Sequence, residues 1–221
     1  MTEARRAHWD EVYATKREDE VSWFQATPDL SLELLALIGA SPRSAILDVG
    51  GGASRLVDHL VAAGHEDVSV LDLSPAALSA AKARLGEAAK RVAWIEADVT
   101  AWTPPRAYDV WHDRAAFHFL VDPADQAAYV DRLRRALRRG GQAIVGTFAL
   151  DGPEKCSGLP VRRWDASGLA EFLGPDFALV ETRRQEHLTP RGVVQRFQFA
   201  AFRFAGEDGP GGVTRPPAAR G

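Results

Sequence analysis

A run of glycines between an apolar run and a periodic segment, and an acid closing the next apolar run, are residue types that could hold a nucleoside-type ligand. Asp48 sits inside the apolar run Ala45-Ile46-Leu47-Asp48-Val49 and is followed at once by Gly50-Gly51-Gly52. Asp72 closes Val68-Ser69-Val70-Leu71, 24 positions after Asp48, and Asp98 follows Val92-Ala93-Trp94-Ile95. Glycines strip the Cβ atoms from a turn, so a ligand can rest on bare backbone, and they accept positive φ. A helix that starts after such a turn offers unpaired N–H groups to the ligand. An acid ending the next strand can accept hydrogen bonds from both hydroxyls of a ribose. A second group, His112, Asp113, Arg114 and His118, follows the run Tyr108-Asp109-Val110-Trp111. It includes side chains able to take a proton from a reacting group.

Elements must bring these residues to one edge. The apolar run, the glycines and the periodic segment Leu56, Val57, Leu60, Val61 read as strand, tight turn and helix, with the helix running to about Ala63 before Gly64. Further strands are expected at residues 68–72, 91–95, 108–112 and 142–148. Ser74-Pro75 caps a helix reaching about Gly86, and Asp122 caps one from Pro123 to Arg139 that Gly140-Gly141 ends. This alternation calls for a parallel sheet with right-handed crossovers, an α/β doubly wound fold. Asp165 caps a short helix to Leu173, and two last strands, residues 177–187 and 193–204, are joined by a link short enough for an antiparallel hairpin. In open sheets of this kind ligands bind beyond the carboxyl ends of the strands, where the strand order switches, so Asp113, Arg114 and His118 should face the same crevice as Gly50.

Before the first strand, a helix is expected over residues 2 to about 17, with Trp9, Val12 and Tyr13 on one face, and another from Thr27-Pro28 to about Gly39. Residues 1–40 thus read as a helical N-terminal cap, 41–204 as the ligand-binding domain, and 205–221, rich in Gly, Pro and Ala, as a disordered tail. Trp23, in a loop between the two helices, is a candidate ligand contact because a loop hides an indole poorly. Residues 150–164 form a long loop in which Cys156 and Ser157 could touch a substrate.

Composition narrows the field. With 221 residues and 46% apolar content the chain can bury a proper core. A net charge of −3 gives no reason to expect a polyanionic partner, and Arg132, Arg134, Arg135, Arg138 and Arg139 read as the solvated end of a helix. One cysteine, Cys156, excludes an internal disulfide and a cysteine zinc site, which fits a reducing, cytoplasmic setting. No stretch of 18 apolar residues occurs, so no membrane span is expected.

The dinucleotide fingerprint G-x-G-x-x-G fails here, since its third glycine falls on Arg55. What stands instead, apolar-apolar-Asp-x-Gly-x-Gly, resembles the first motif of the class I (seven-β-strand, Rossmann-like) S-adenosylmethionine-dependent methyltransferases. The resemblance spans roughly residues 40–204 and implies a mostly parallel seven-stranded sheet with a C-terminal antiparallel hairpin. It also implies S-adenosylmethionine as cofactor and no metal. Asp48, Gly50, Gly51 and Gly52 would receive its amino acid end, Asp72 with Leu73 its ribose, and Asp98 with Val99 its adenine, while Trp23, Asp113 and Arg114 would complete the surround.

A small-molecule acceptor is the first expectation. If the acceptor is protonated, His118, His112 and Asp113 are the candidate bases; an anionic acceptor needs none. The missing Asn/Asp-Pro-Pro-aromatic turn after the fourth strand and the negative net charge argue against a DNA substrate. The opening Trp9-Asp10-x-x-Tyr13 with Ser22-Trp23 also resembles small protein lysine methyltransferases, although Asp113-Arg114-Ala115-Ala116 departs from their Asp-Lys-Gly-Thr. A non-catalytic cofactor-binding module and a nucleotide-cofactor oxidoreductase stay open, the latter weakened by Arg55. Oligomeric state is not legible.

Overall fold

The runs Ile46–Val49 (β1), Val68–Asp72 (β2) and Val92–Glu96 (β3) form three adjacent parallel strands in the computed structural model, which describes residues 2–206. Tyr108–Arg114 (β4) and Leu137–Phe148 (β5) extend the sheet in parallel on the other side of β1. Lys155–Cys156 (β6) and Leu159–Pro160 (β7) make a two-strand ribbon inside the long loop. Phe177–Leu188 (β8) and Val194–Phe204 (β9) close the main sheet as an antiparallel pair, with β9 antiparallel to β5. The order β3-β2-β1-β4-β5-β9-β8 is that of the expected doubly wound α/β fold with its closing hairpin. Chain direction reverses laterally between β1 and β4, which opens a crevice beyond their carboxyl ends.

Helices cover both faces. Asp29–Leu37 (α2, after α1 at Thr2–Thr15), Leu56–Ala62 (α3) and Pro75–Leu85 (α4) flank the sheet. Leu34, Leu35, Leu56, Leu60 and Leu78 pack with Ile46, Val70 and Ile144. Pro123–Ala136 (α5) and Ala166–Leu173 (α6) lie on the other face, where Leu133, Leu169 and Leu173 pack with Leu47, Trp111 and Val145. Three expected caps form as read. Ser74 accepts from Ala77 N at 3.2 Å, Asp122 from Ala124 N at 2.8 Å and Asp165 from Gly168 N at 2.7 Å, each satisfying an otherwise unpaired helix-start donor.

Several boundaries differ from those expected. α5 ends at Ala136 rather than Arg139, because Leu137 is fully buried in register with Tyr108 and Arg138 reaches Asp109, so burial outweighs the helical preference of the arginines. β5 therefore starts five residues before the expected Gln142. β4 runs two residues past His112 to include Asp113 and Arg114, which pair with Val145 and Gly146. α2 is capped by Pro28 rather than Thr27, without a side-chain bond. Ala205, placed in the expected tail, donates to Asp176 O at 2.7 Å; residues 207–221 of that tail lie outside the described residues. Among the described residues no helix is long and apolar enough to cross a membrane.

Candidate active site

The glycine turn shows why only glycine fits. Gly50 and Gly52 take φ of +64° and +46°, the left-handed region that side chains rarely adopt. Gly51 has ordinary φ but is packed on an acid: a Cβ there would lie 2.5 Å from Asp48 Oδ2 and 2.9 Å from Val70 Cγ1. Arg84 of α4 fastens the turn from outside, donating to Ala53 O at 3.0 Å and Ser54 O at 2.9 Å while pairing with Asp58 and Glu18. Arg55, at the position of the broken dinucleotide fingerprint, caps α3 and pairs with Glu18.

A cleft of about 860 Å³, partly open to solvent, lies beyond the ends of β1, β2 and β4. Part of the lining is polar. Asp72 and Asp98 line it with Gly50, Leu73 and Val99. Asp72 is buried with its Oδ1 held by Ser74 N–H at 2.8 Å. Burial raises its pKa to about 7, and the neighbouring Asp48 adds to the rise. Asp98 Oδ1 accepts from Thr100 N at 2.9 Å and Thr100 Oγ1 at 2.7 Å, and Arg5 Nη2 lies 3.7 Å from its Oδ2.

The rest of the lining is aromatic and holds nitrogen donors. Trp9, Phe119, Phe148 and Phe197 wall it, with Arg114, His118 and Cys156 among them. His118 is fully buried; its Nδ1 accepts the Phe148 N–H at 3.2 Å and its Nε2 has no protein partner. Burial, reinforced by the Arg114 charge, lowers its pKa to about 3, so the ring is neutral. Arg114 donates Nη1 to Trp23 O at 3.0 Å, while its Nε and Nη2 are buried without partners. Cys156 is buried, which pushes its thiol up to about 11, so it stands here as a thiol and not a thiolate.

Of the residues singled out from the sequence, Trp23, Gly50, Asp72, Leu73, Asp98, Val99, Arg114 and His118 line this one cleft. Asp48, Gly51, Gly52, His112 and Asp113 do not. Asp48 and His112 lie beneath the turn, with His112 Nδ1 2.7 Å from Asp48 Oδ1 and its Nε2 2.9 Å from Ser31 Oγ, so both ring nitrogens are engaged away from the cleft. Asp113 points to the opposite face of the sheet. It accepts from Tyr129 Oη at 2.7 Å, Ala116 N at 2.8 Å and Phe117 N at 3.0 Å, and so anchors the turn Phe117–Phe119 that carries His118. Neither His112 nor Asp113 is placed to take a proton from a substrate in the cleft. Ser157 lines a separate pocket with Lys16 and Gln195.

The sequence reading missed the contribution of α1. Arg5, Trp9 and Tyr13 line the cleft from one helix face. Their four-residue spacing was the available signal. Trp9 stacks edge-on against Trp23 at 5.7 Å and Phe119 at 4.9 Å.

With this geometry in hand, relatives can be placed. Residues 46–141 match the family described as methyltransferase domain. A trans-aconitate 2-methyltransferase of Methylobacterium radiotolerans is 35% identical over 141 residues, covering 63% of this chain and 49% of that protein. An eEF1A lysine and N-terminal methyltransferase homolog of Drosophila melanogaster is 24% identical over 148 residues, 64% of this chain and 22% of that protein. The chain thus spans about half the length, or less, of these two curated relatives. The crystal structure of 1,6-didemethyltoxoflavin-N1-methyltransferase from Burkholderia thailandensis, with 1,6-didemethyltoxoflavin and S-adenosylhomocysteine bound, superposes with a TM-score of 0.66 at 21% identity. It covers 92% of this chain and 85% of that one. Residues 46–141 thus match a methyltransferase domain, and the strand order of the whole sheet agrees with the fold of the superposed methyltransferase structure.

Proposed function

We propose that the chain transfers a methyl group from S-adenosylmethionine to a small-molecule acceptor held against the aromatic wall of the cleft. The observation that carries this reading is the mixed lining of the cleft: Asp72, Asp98 and the glycine turn share it with an aromatic wall and with the nitrogen donors of Arg114 and His118. The residues fit the cofactor. Asp72 stands at the end of β2 as a buried acceptor for a ribose diol, Asp98 lies beyond β3 for the adenine, and the bare backbone at Gly50 leaves room for the amino acid portion. Bound there, S-adenosylmethionine supplies an activated methyl on a sulfonium. The trans-aconitate enzyme supports a small-molecule acceptor, since its name places its activity on one.

The chain's own contribution is positional. Trp9, Phe119, Phe148 and Phe197 exclude water and orient the acceptor, which favours an in-line displacement through proximity and dryness. His118 holds a proton at Nε2 and offers it as a hydrogen-bond donor; it does not act as a base. Calorimetry with S-adenosylhomocysteine and with nicotinamide dinucleotides separates a methyltransferase from an oxidoreductase. Transfer of a labelled methyl to a metabolite panel and a protein panel then separates an enzyme from a binding module and a small acceptor from a lysine.

A further inference from the structure

We infer that the acceptor is a carboxylic acid with an apolar body, bound as its anion by Arg114 and the Nε2–H of His118; this rests on the methyltransferase reading above. A guanidinium is costly to bury unless an anion or several hydrogen bonds accompany it. The buried Asp48 carboxylate acts on Arg114 only through its charge, without a hydrogen bond or ion pair to it among the described residues, and the Arg114 Nε and Nη2 find no partner. Phe197 supplies a ring face 5.3 Å from its Cζ, which leaves the planar edge for a second group. Nearby, His118 presents an equally unpartnered donor, because the Phe148 N–H on Nδ1 assigns the proton to Nε2.

Two buried donors without acceptors thus line one cleft whose walls are otherwise aromatic. A guanidinium edge matches a carboxylate in geometry and charge. An amine acceptor beside these two groups would meet a guanidinium charge and an imidazole N–H, neither of which accepts a hydrogen bond. A carboxylate also needs no base, which agrees with a site whose imidazole has its acceptor nitrogen occupied. The acceptor oxygen provides the electron pair for the new C–O bond as the methyl C–S bond breaks with its pair passing to sulfur. The products are a neutral methyl ester and a thioether, and no proton moves.

Arg114 also borders a smaller pocket beside Ala53 and Ser54, so the rival assignment is that it holds the cofactor's own carboxylate. Binding separates the two without an identified acceptor. With the full chain saturated in S-adenosylhomocysteine, ligand-observed NMR and calorimetry would compare hexanoate, phenylacetate and 3-phenylpropionate with their primary amides. The acids should bind more tightly by roughly ten- to a hundredfold, the range for charged hydrogen bonds. Arg114→Gln should abolish that preference and Arg114→Lys should retain part of it, both keeping wild-type affinity for S-adenosylhomocysteine. Equal binding of acids and amides would overturn the inference. So would a loss of S-adenosylhomocysteine affinity in Arg114→Gln with 5′-methylthioadenosine affinity unchanged, which would give the guanidinium to the cofactor. Failure of the wild type to bind S-adenosylhomocysteine would instead defeat the methyltransferase reading itself.

Discussion

His118 Nδ1 accepts the backbone N–H of Phe148 at 3.2 Å, and this bond decides what the imidazole can do. A neutral ring has one donor and one acceptor nitrogen. With the acceptor committed to β5, the unpartnered Nε2 carries the proton. The turn bearing His118 is in turn fixed by Asp113, two strand residues after Trp111, so β4 sets both the cleft wall and its donor.

His118→Phe should weaken acceptor binding while His118→Gln, which can donate from its amide, should keep most of it. Stability gives an independent readout. The folded pKa of about 3 lies below the unfolded value, so the unfolded state binds a proton first as pH falls, and stability is lost from about pH 6.5 downward. Acid unfolding monitored by circular dichroism should be less steep between pH 6 and 4 in His118→Gln than in the wild type. Equal steepness would mean that the ring is not held neutral.

Asp72→Asn should stabilise the empty protein and impair it. Burial raises the Asp72 pKa to about 7 in the folded state. Its stabilising contribution is therefore present below the unfolded value and lost as pH rises through 7. Relief of that charge in the Asn variant is worth at most about 4 kcal/mol at pH 8, seen as a higher Tm at pH 8 and little change at pH 4. On the proposed role of Asp72, ribose hydroxyls would donate to the ionised form, so wild-type affinity for S-adenosylhomocysteine should decline by up to about tenfold per pH unit below 7. The Asn variant should bind weakly at every pH. A flat wild-type profile would contradict this.

Gly51→Ala should destabilise by about 1–3 kcal/mol, the usual cost of forcing a methyl into a packed site, because its Cβ would press on Asp48 and Val70. The same change at Gly64, where nothing lies within 4 Å, meets only the penalty of a +85° φ, about 1 kcal/mol. Urea unfolding of the two variants should rank them in that order.

Arg84→Met should loosen the glycine turn at a distance from any ligand contact. It removes two carbonyl contacts and the pairs with Asp58 and Glu18, all part-buried. About 1–2 kcal/mol of stability should go, discounted for solvent screening of the acids. Affinity for S-adenosylhomocysteine should fall several-fold with unchanged stoichiometry. A variant equal to the wild type in chemical denaturation would show that the turn holds without this clamp.

Much of this was legible in residues. The alternation of apolar strands with Ser74, Asp122 and Asp165 caps set the sheet order class, and Asp72 and Asp98 were legible as strand-end acids. Orientation on β4 was less so. Residues 111 and 113 face α5 while 112 and 114 face the other side, a two-residue parity that separates Asp113 from Arg114. Reading His112 as a base failed for another reason: Ser31 and Asp48, 81 and 64 positions away, take both its nitrogens. Long-range contacts of this kind leave no local signature. For α1 the four-residue spacing of Arg5, Trp9 and Tyr13 marks one face, but what that face meets is set by long-range contacts, Asp10 with Ser74 and Arg5 with Asp125.

Calorimetric titration of the full chain with S-adenosylhomocysteine, beside Asp72→Asn and Asp98→Asn, puts the methyltransferase reading to the decisive trial. One site per chain, weakened by roughly tenfold or more in each variant as expected for a lost charged hydrogen bond, is the predicted result. Wild-type binding that neither substitution alters, or no binding at all, would contradict it.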